Sequence, residues 1–194
     1  MTSFELAPIR RQEPLIRGRL RMVFPEHPFT IDRVPQNLSV GEFRRVVRMT
    51  PFLGLAWAGM KPDDSSGRQL KGDMQWRLIL INRVSSGLEA RFKGDKQDIG
   101  MDAMTDVGMA ILHGASFQGV GTTTVTQVSS LIAEGYADDD IAISQIDFTF
   151  SFVTSPADFS ITSQELFEAL DITWSVNGSA GPGDINDSIQ PPQE

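Results

Sequence analysis

The chain has 194 residues, 40% apolar and 22% charged, with no cysteine and a formal net charge of −8 at pH 7. That is enough for one domain of about 150–180 residues with a proper core. It excludes disulfides and thiolate metal sites, and with no apolar run of about 18 residues no transmembrane helix is expected.

A first helix is predicted over 14–23, with Ile16, Leu20 and Val23 at helical spacing and Arg17, Arg19 and Arg21 studding it. Pro14 fits its first turn, where the missing N–H costs nothing. The segment from Phe24 to Pro28 breaks the helix, and a short extended piece follows over 29–34. Ser39 and Glu42 are spaced as a capping box. They open a helix through Arg48, with Phe43, Val46 and Val47 inward and Arg44, Arg45 and Arg48 outward. Thr50-Pro51 ends it, and 51–60, apolar on both faces, reads as a buried strand. Residues 61–73 are rich in turn formers and form a protruding connection. A central strand is predicted over 74–84, with Trp76, Leu78 and Leu80 on one face and Ile79 and Ile81 on the other.

The main helix is predicted over 98–113, with Ile99, Ala103, Val107, Ala110 and Ile111 on its inward arc and Gly100 and Met104 beside them. Gly100 and Gly108 each cost about 1 kcal/mol relative to Ala, tolerable if they let the helix approach a sheet closely. Gly114 stops the helix, and His113 suits the negative end of its dipole. On the opposite arc Asp98, Asp102 and Asp106 stack at four-residue intervals, with no Lys or Arg on the helix to pair with them. Like charges so spaced repel by a few tenths of a kcal/mol. The stripe is either a wet face or a partner-binding one.

A long strand over 120–134 and the acidic turn Asp138-Asp139-Asp140 lead to 141–153, where apolar and polar residues alternate with period two. The phase slips once, from Ile141 and Ile143 on odd numbers to Ile146, Phe148, Phe150 and Phe152 on even ones. This predicts a β-bulge or bend near Ser144 and Gln145. Thr162 and Glu165 offer a second capping box for a helix to Leu170, and 172–176 a last strand. Residues 177–194 have almost nothing to bury and are expected to be a flexible tail. The expected fold is α+β, a single domain over 1–176. It has a mainly antiparallel sheet of four or five strands, the main helix packed on one face and short additional helices.

Nothing in the chain points to catalysis. His27 and His113 are its two histidines, neither stands near a nucleophile motif, and no G-x-S-x-G or H-E-x-x-H occurs. Asp138 to Asp140 lack the spaced ligands of a calcium loop. No metal or cofactor is expected. The N-terminus lacks the basic-then-apolar build of a secretory signal.

Charge is laid out unevenly. Residues 1–96 hold all 17 Lys and Arg against 10 Asp and Glu, a net of +7, while 97–194 hold 15 acidic residues and no basic one. The halves can pair inside one molecule or head to tail between copies. For the second case the candidate interface is Arg44, Arg45 and Arg48 against Asp98, Asp102 and Asp106. Nucleic acid is not expected as the main partner, since the total is acidic and the basic half lacks interleaved aromatics.

The order of helix 15–23, strand 52–59, protruding loop, strand 75–84, the helix ending Ala103-Met-Thr-Asp-Val-Gly-Met-Ala-Ile-Leu-His-Gly114, and terminal strand 141–153 resembles the tail terminator family of tailed bacteriophages. Within it the chain is most similar to the Mu-like small tail proteins described as terminator or tail completion proteins. The resemblance implies a subunit of a ring, usually sixfold, that caps the tail tube in the virion tail. Its implied partners are copies of itself, the tail tube protein, sheath and head connector proteins. It also implies assembly in the host bacterial cytoplasm, no membrane, and nucleic acid met only by passage through a lumen. The helix over 39–48 and the extension after Val153 depart from the family pattern. A monomeric adaptor or assembly factor of the same particle, and a hydrolase using Asp side chains, are the alternative readings.

Overall fold

The computed structural model describes residues 7–64, 69–96, 98–131 and 140–154, and the backbone of 170–174 and 185–189. Its elements run α1 (Pro8–Arg21), β1 (Thr30–Arg33), α2 (Val40–Val47), β2 (Phe52–Pro62), β3 (Lys71–Arg83), α3 (Leu88–Lys93), α4 (Met101–Leu112), β4 (Ser116–Phe117), β5 (Gly121–Leu131), β6 (Ile141–Val153), β7 (Leu170–Trp174) and β8 (Ile185–Ile189). The fold is α+β, with one mixed six-stranded sheet in the order β1-β2-β3-β6-β5-β4. The expected four- or five-stranded antiparallel sheet is corrected at both edges. Strand β1 joins β2 in parallel, because α2 carries the chain back between them and makes the crossover that parallel pairing needs. Strand β4 adds two residues beside β5. The four central strands, β2-β3-β6-β5, pair antiparallel, which matches the expected sheet only in part.

Helix α1 starts at Pro8, not Pro14, and Pro14 lies inside it. The buried residues Pro8, Gln12, Ile16 and Leu20 repeat every four residues, so the packed face extends a turn and a half ahead of Pro14 and holds the helix across it. Pro8 takes the early seat where a proline is tolerated. Ser39 caps α2 as expected: its Oγ accepts the Glu42 N–H at 3.3 Å, and the Glu42 carboxylate accepts the Ser39 N–H at 2.9 Å.

The core lies on both faces of the sheet. On one face α1 and α4 cover Leu53 and Leu55 of β2, Trp76, Leu78 and Leu80 of β3, and Ile146, Phe148 and Phe150 of β6. On the other, α2 inserts Val46 against Phe52, Ala56, Ile79, Ile81, Ile141 and Ile143. This explains the phase slip in β6 and corrects the expected bulge. The β3–β6 register is unbroken from Lys71↔Val153 to Arg83↔Ile141. At the Ile141 end both faces are covered, so odd and even residues are all buried. Beyond Ser144 only the even face is. The bulges lie in the flanking strands, between Trp57 and Gly59 in β2 and between Val125 and Gln127 in β5.

The inward arc of α4 is Met101, Met104, Gly108 and Leu112, with Val107 and Ile111 packed beside it. Ala103 and Ala110 are exposed, which corrects the expected arc by part of a turn. Gly108 does what its cost suggested: a Cβ there would stand 2.8 Å from Ile146 Cδ1. The expected helix over 162–170 lies almost wholly outside the described residues, as does most of the acidic turn. Within the stretch read as a tail, 185–189 form β8, paired antiparallel with β7.

Candidate functional site

Alternate residues of a strand point to opposite faces, and α2 and α4 pack on opposite faces of β3. The two charged stripes read from the sequence therefore lie on opposite sides of the sheet. Arg44, Arg45 and Arg48 are all exposed on the outer side of α2. Arg45 helps to lower the pKa of Glu42, a shift caused first by the hydrogen bond from the Ser39 side chain. The side chains of Arg44 and Arg48 have no ion-pair or hydrogen-bond partner among the described residues. Asp102 and Asp106 are exposed on α4, and Asp102 sits in its first turn, where a carboxylate suits the positive end of the dipole.

Asp98 is exposed too, but it precedes the helix, a correction to the expected three-rung stripe. Its N–H donates to Asp95 Oδ1 at 2.9 Å, and its carbonyl accepts the Asp95 N–H. That local turn competes with helix extension. Next to it Gly100 is crowded, since a Cβ there would fall 2.1 Å from the Phe92 carbonyl oxygen. Helix α4 starts only after this crossing. The structure thus keeps each trio on its own surface and brings none of the six residues to another trio.

Much of the remaining basic charge is spent inside the molecule, which residue counting could not show. The α1 arginines act as clamps on carbonyl oxygens: Arg11 on Gly119 at 3.0 Å, Arg17 on Ile31 at 3.0 Å, Arg19 on Ile111 at 3.3 Å, and Arg21 on Phe29 at 2.9 Å. Glu13 bridges Arg17 and Arg33, and Arg33 lies over the Trp76 ring, 4.7 Å from its centroid. The basic and acidic halves meet at one rung of the β3–β6 ladder, Arg77 and Asp147, and just past its end, where Arg83 reaches Asp140. Arg77 Nε and Nη2 donate to Asp147 Oδ1 and Oδ2 at 2.8 and 3.1 Å, and Arg83 Nε donates to Asp140 at 2.7 Å. The hydrogen bonds to Asp147 hold the Arg77 pKa above its ordinary value against the effect of burial. The bond from Arg83 holds the Asp140 carboxyl below its own.

Beyond the reach of α2 the sheet face opposite α1 and α4 is polar. Gln75, Arg77, Gln127, Asp147 and Thr149 line a shallow groove there, and Gln145 donates a further hydrogen bond to Asp147 at 2.8 Å. Among the described residues no group of three or more His, Cys, Asp and Glu is placed to hold a metal ion. Likewise no helix is long and apolar enough to cross a membrane.

No protein-family model matches the chain, and no curated protein matches it. Among solved structures it is similar to a chain of the "Virion of native gene transfer agent (GTA) particle". The TM-score is 0.41 at 11% identity, covering 77% of this chain and 94% of that one.

Proposed function

We propose that the protein is a structural subunit of the tail of a phage or phage-like particle. It assembles head to tail into a ring that caps or completes the tail tube and joins it to head-proximal connector proteins, and it carries no catalysis. The observation behind the assembly is the placement of opposite charge on opposite faces. The arginines of α2 and the aspartates around α4 are exposed, their helices pack on opposite faces of β3, and no ion pair joins them among the described residues. A contact between unlike surfaces, repeated until the rotation closes, makes a ring. The phage setting is supported by the element order of helix, strand, strand, helix and terminal strand that carries the family resemblance.

Exposed ion pairs contribute about 0–1 kcal/mol each, so the charges set orientation more than affinity. The test is native mass spectrometry with negative-stain microscopy at low and high salt, on the wild type and on Arg44→Glu/Arg45→Glu/Arg48→Glu. A ring that weakens with salt and is lost in the folded triple variant is expected. A sharp monomer peak at high concentration with no ring would leave the adaptor reading standing instead.

A further inference from the structure

The sheet's two edges are finished differently. At β1 the N–H groups of Thr30 and Val34 bond inward to Pro51 and Leu55, so Phe29 and Ile31 turn outward. Arg21 and Arg17 of α1 take up both of those outward carbonyls. This edge has its outward carbonyls capped.

At the other edge the described residues cover β5 only part of the way. Strand β4 pairs Gly121 and Thr122, Gly114 and Ala115 bond to Thr123, and His113 Nδ1 accepts the Val125 N–H. From Thr126 to Leu131 no described residue bonds to the outer side of the strand. Past the bulge, the Ser129 carbonyl accepts from Ser144 Oγ of β6 and so faces inward. By the alternation of the ladder, Val128 and Ser130 turn their N–H and C=O outward. Natural edges are guarded by Lys, Pro, inward charges or bulges; β5 has its bulge between Val125 and Gln127, and past it no Lys, Pro or charged residue follows in the strand. Its exposed apolar side chains are Val128 and Leu131.

The same chain carries strands in search of a sheet. β7 and β8 pair with each other over five rungs, and among the described residues they join no larger sheet. A lone two-stranded hairpin is at best marginal in water and needs a third strand or a packed face. The sequence of β7 alternates Leu170, Ile172 and Trp174 with Asp171 and Thr173, the pattern of a strand with one side to bury. Between Thr154 and β7 the chain can span at most about 50 Å, enough to leave its own domain.

We propose that the β7–β8 hairpin of one copy adds through β7 to the open Thr126–Leu131 edge of β5 in the next copy. This inference rests on the head-to-tail assembly proposed above and names a strand-addition contact within it. Each copy then carries one donor and one acceptor, as an unlike-surface junction requires. Main-chain hydrogen bonds supply affinity that exposed ion pairs lack.

Two full-length variants test it by native mass spectrometry and thermal melting. Ser130→Pro removes an outward N–H, where a proline is tolerated on an edge, and blocks the acceptor. Ile172→Pro breaks the donor and leaves the six-stranded sheet untouched. Each alone is expected to melt like the wild type and to associate at least tenfold more weakly. Mixed one to one they should form a heterodimer and stop there, because one intact arm meets one intact edge. If the wild type forms rings and Ile172→Pro forms them equally well, strand addition is overturned and head-to-tail assembly survives. That outcome is decisive even if Ser130→Pro melts early. A mixture that yields no heterodimer also overturns it. A wild type that stays monomeric at every concentration overturns both.

Discussion

Trp76 and Gln12 meet in the core, the indole N–H donating to Gln12 Oε1 at 3.0 Å with both residues buried. A glutamine in the middle of a helix's packed face looks like an error until its partner is seen. It pins α1 to the central strand in one register. The bond is not free of cost, since Gln12 Nε2 finds no partner among the described residues.

Gln12→Ala should therefore cost about 2–3 kcal/mol, the penalty of an unpaired buried N–H plus a small cavity. Replacing both partners, Gln12→Met with Trp76→Phe, should recover part of that loss, because neither polar group is then stranded. Urea unfolding followed by circular dichroism measures both. A Gln12→Ala protein within about 0.5 kcal/mol of wild type would show that the bond stabilises nothing.

Phe150 is fully buried and stacks on Phe117 with ring centroids 4.9 Å apart. Phe150→Asp would place an unpaired carboxylate in that stack and should prevent folding. Soluble expression with a cooperative melt would refute the placement of β6 at the centre of the core.

Asp140 titrates below its ordinary value of 3.8 because Arg83 donates to it. Its folded pKa is depressed, so the stability it contributes is present above the ordinary aspartate value and is lost as pH falls through the folded one. Arg83 is about half exposed, which limits the pair to under about 1 kcal/mol. Asp140→Asn should be slightly less stable than wild type at pH 7, and the gap should close below pH 3.8. A gap that widens on acidification would reverse the assignment.

If α2 meets the α4 surface of the next copy, charge exchange should be rescued by mixing. The Arg44→Glu/Arg45→Glu/Arg48→Glu chain and an Asp98→Lys/Asp102→Lys/Asp106→Lys chain should each fail to form rings alone. Together they should form rings of alternating copies, since every junction again joins unlike charges. Native mass spectrometry distinguishes the two chains by mass. Rings built from either variant alone would rule this contact out.

What the sequence settled was local. The period of β6 placed its bounds at Ile141 and Val153, Ser39 and Glu42 announced the cap of α2, and Gly108 announced a close helix–sheet crossing, because each signal depends on neighbours within one or two turns. The outward arginines of α2 were legible for the same reason. What covers each face was not written in any one segment. Whether Ile141 and Ile143 are buried depends on α2, nearly a hundred residues earlier, so a change of cover looked like a bulge. Whether Asp98 belongs to α4 depends on the crowding of Gly100 against Phe92. Whether Arg17 and Arg21 form a basic surface or close a strand edge depends on where β1 lies. Those outcomes belong to the tertiary structure, since burial and the pairing of a charge are fixed only when distant segments meet.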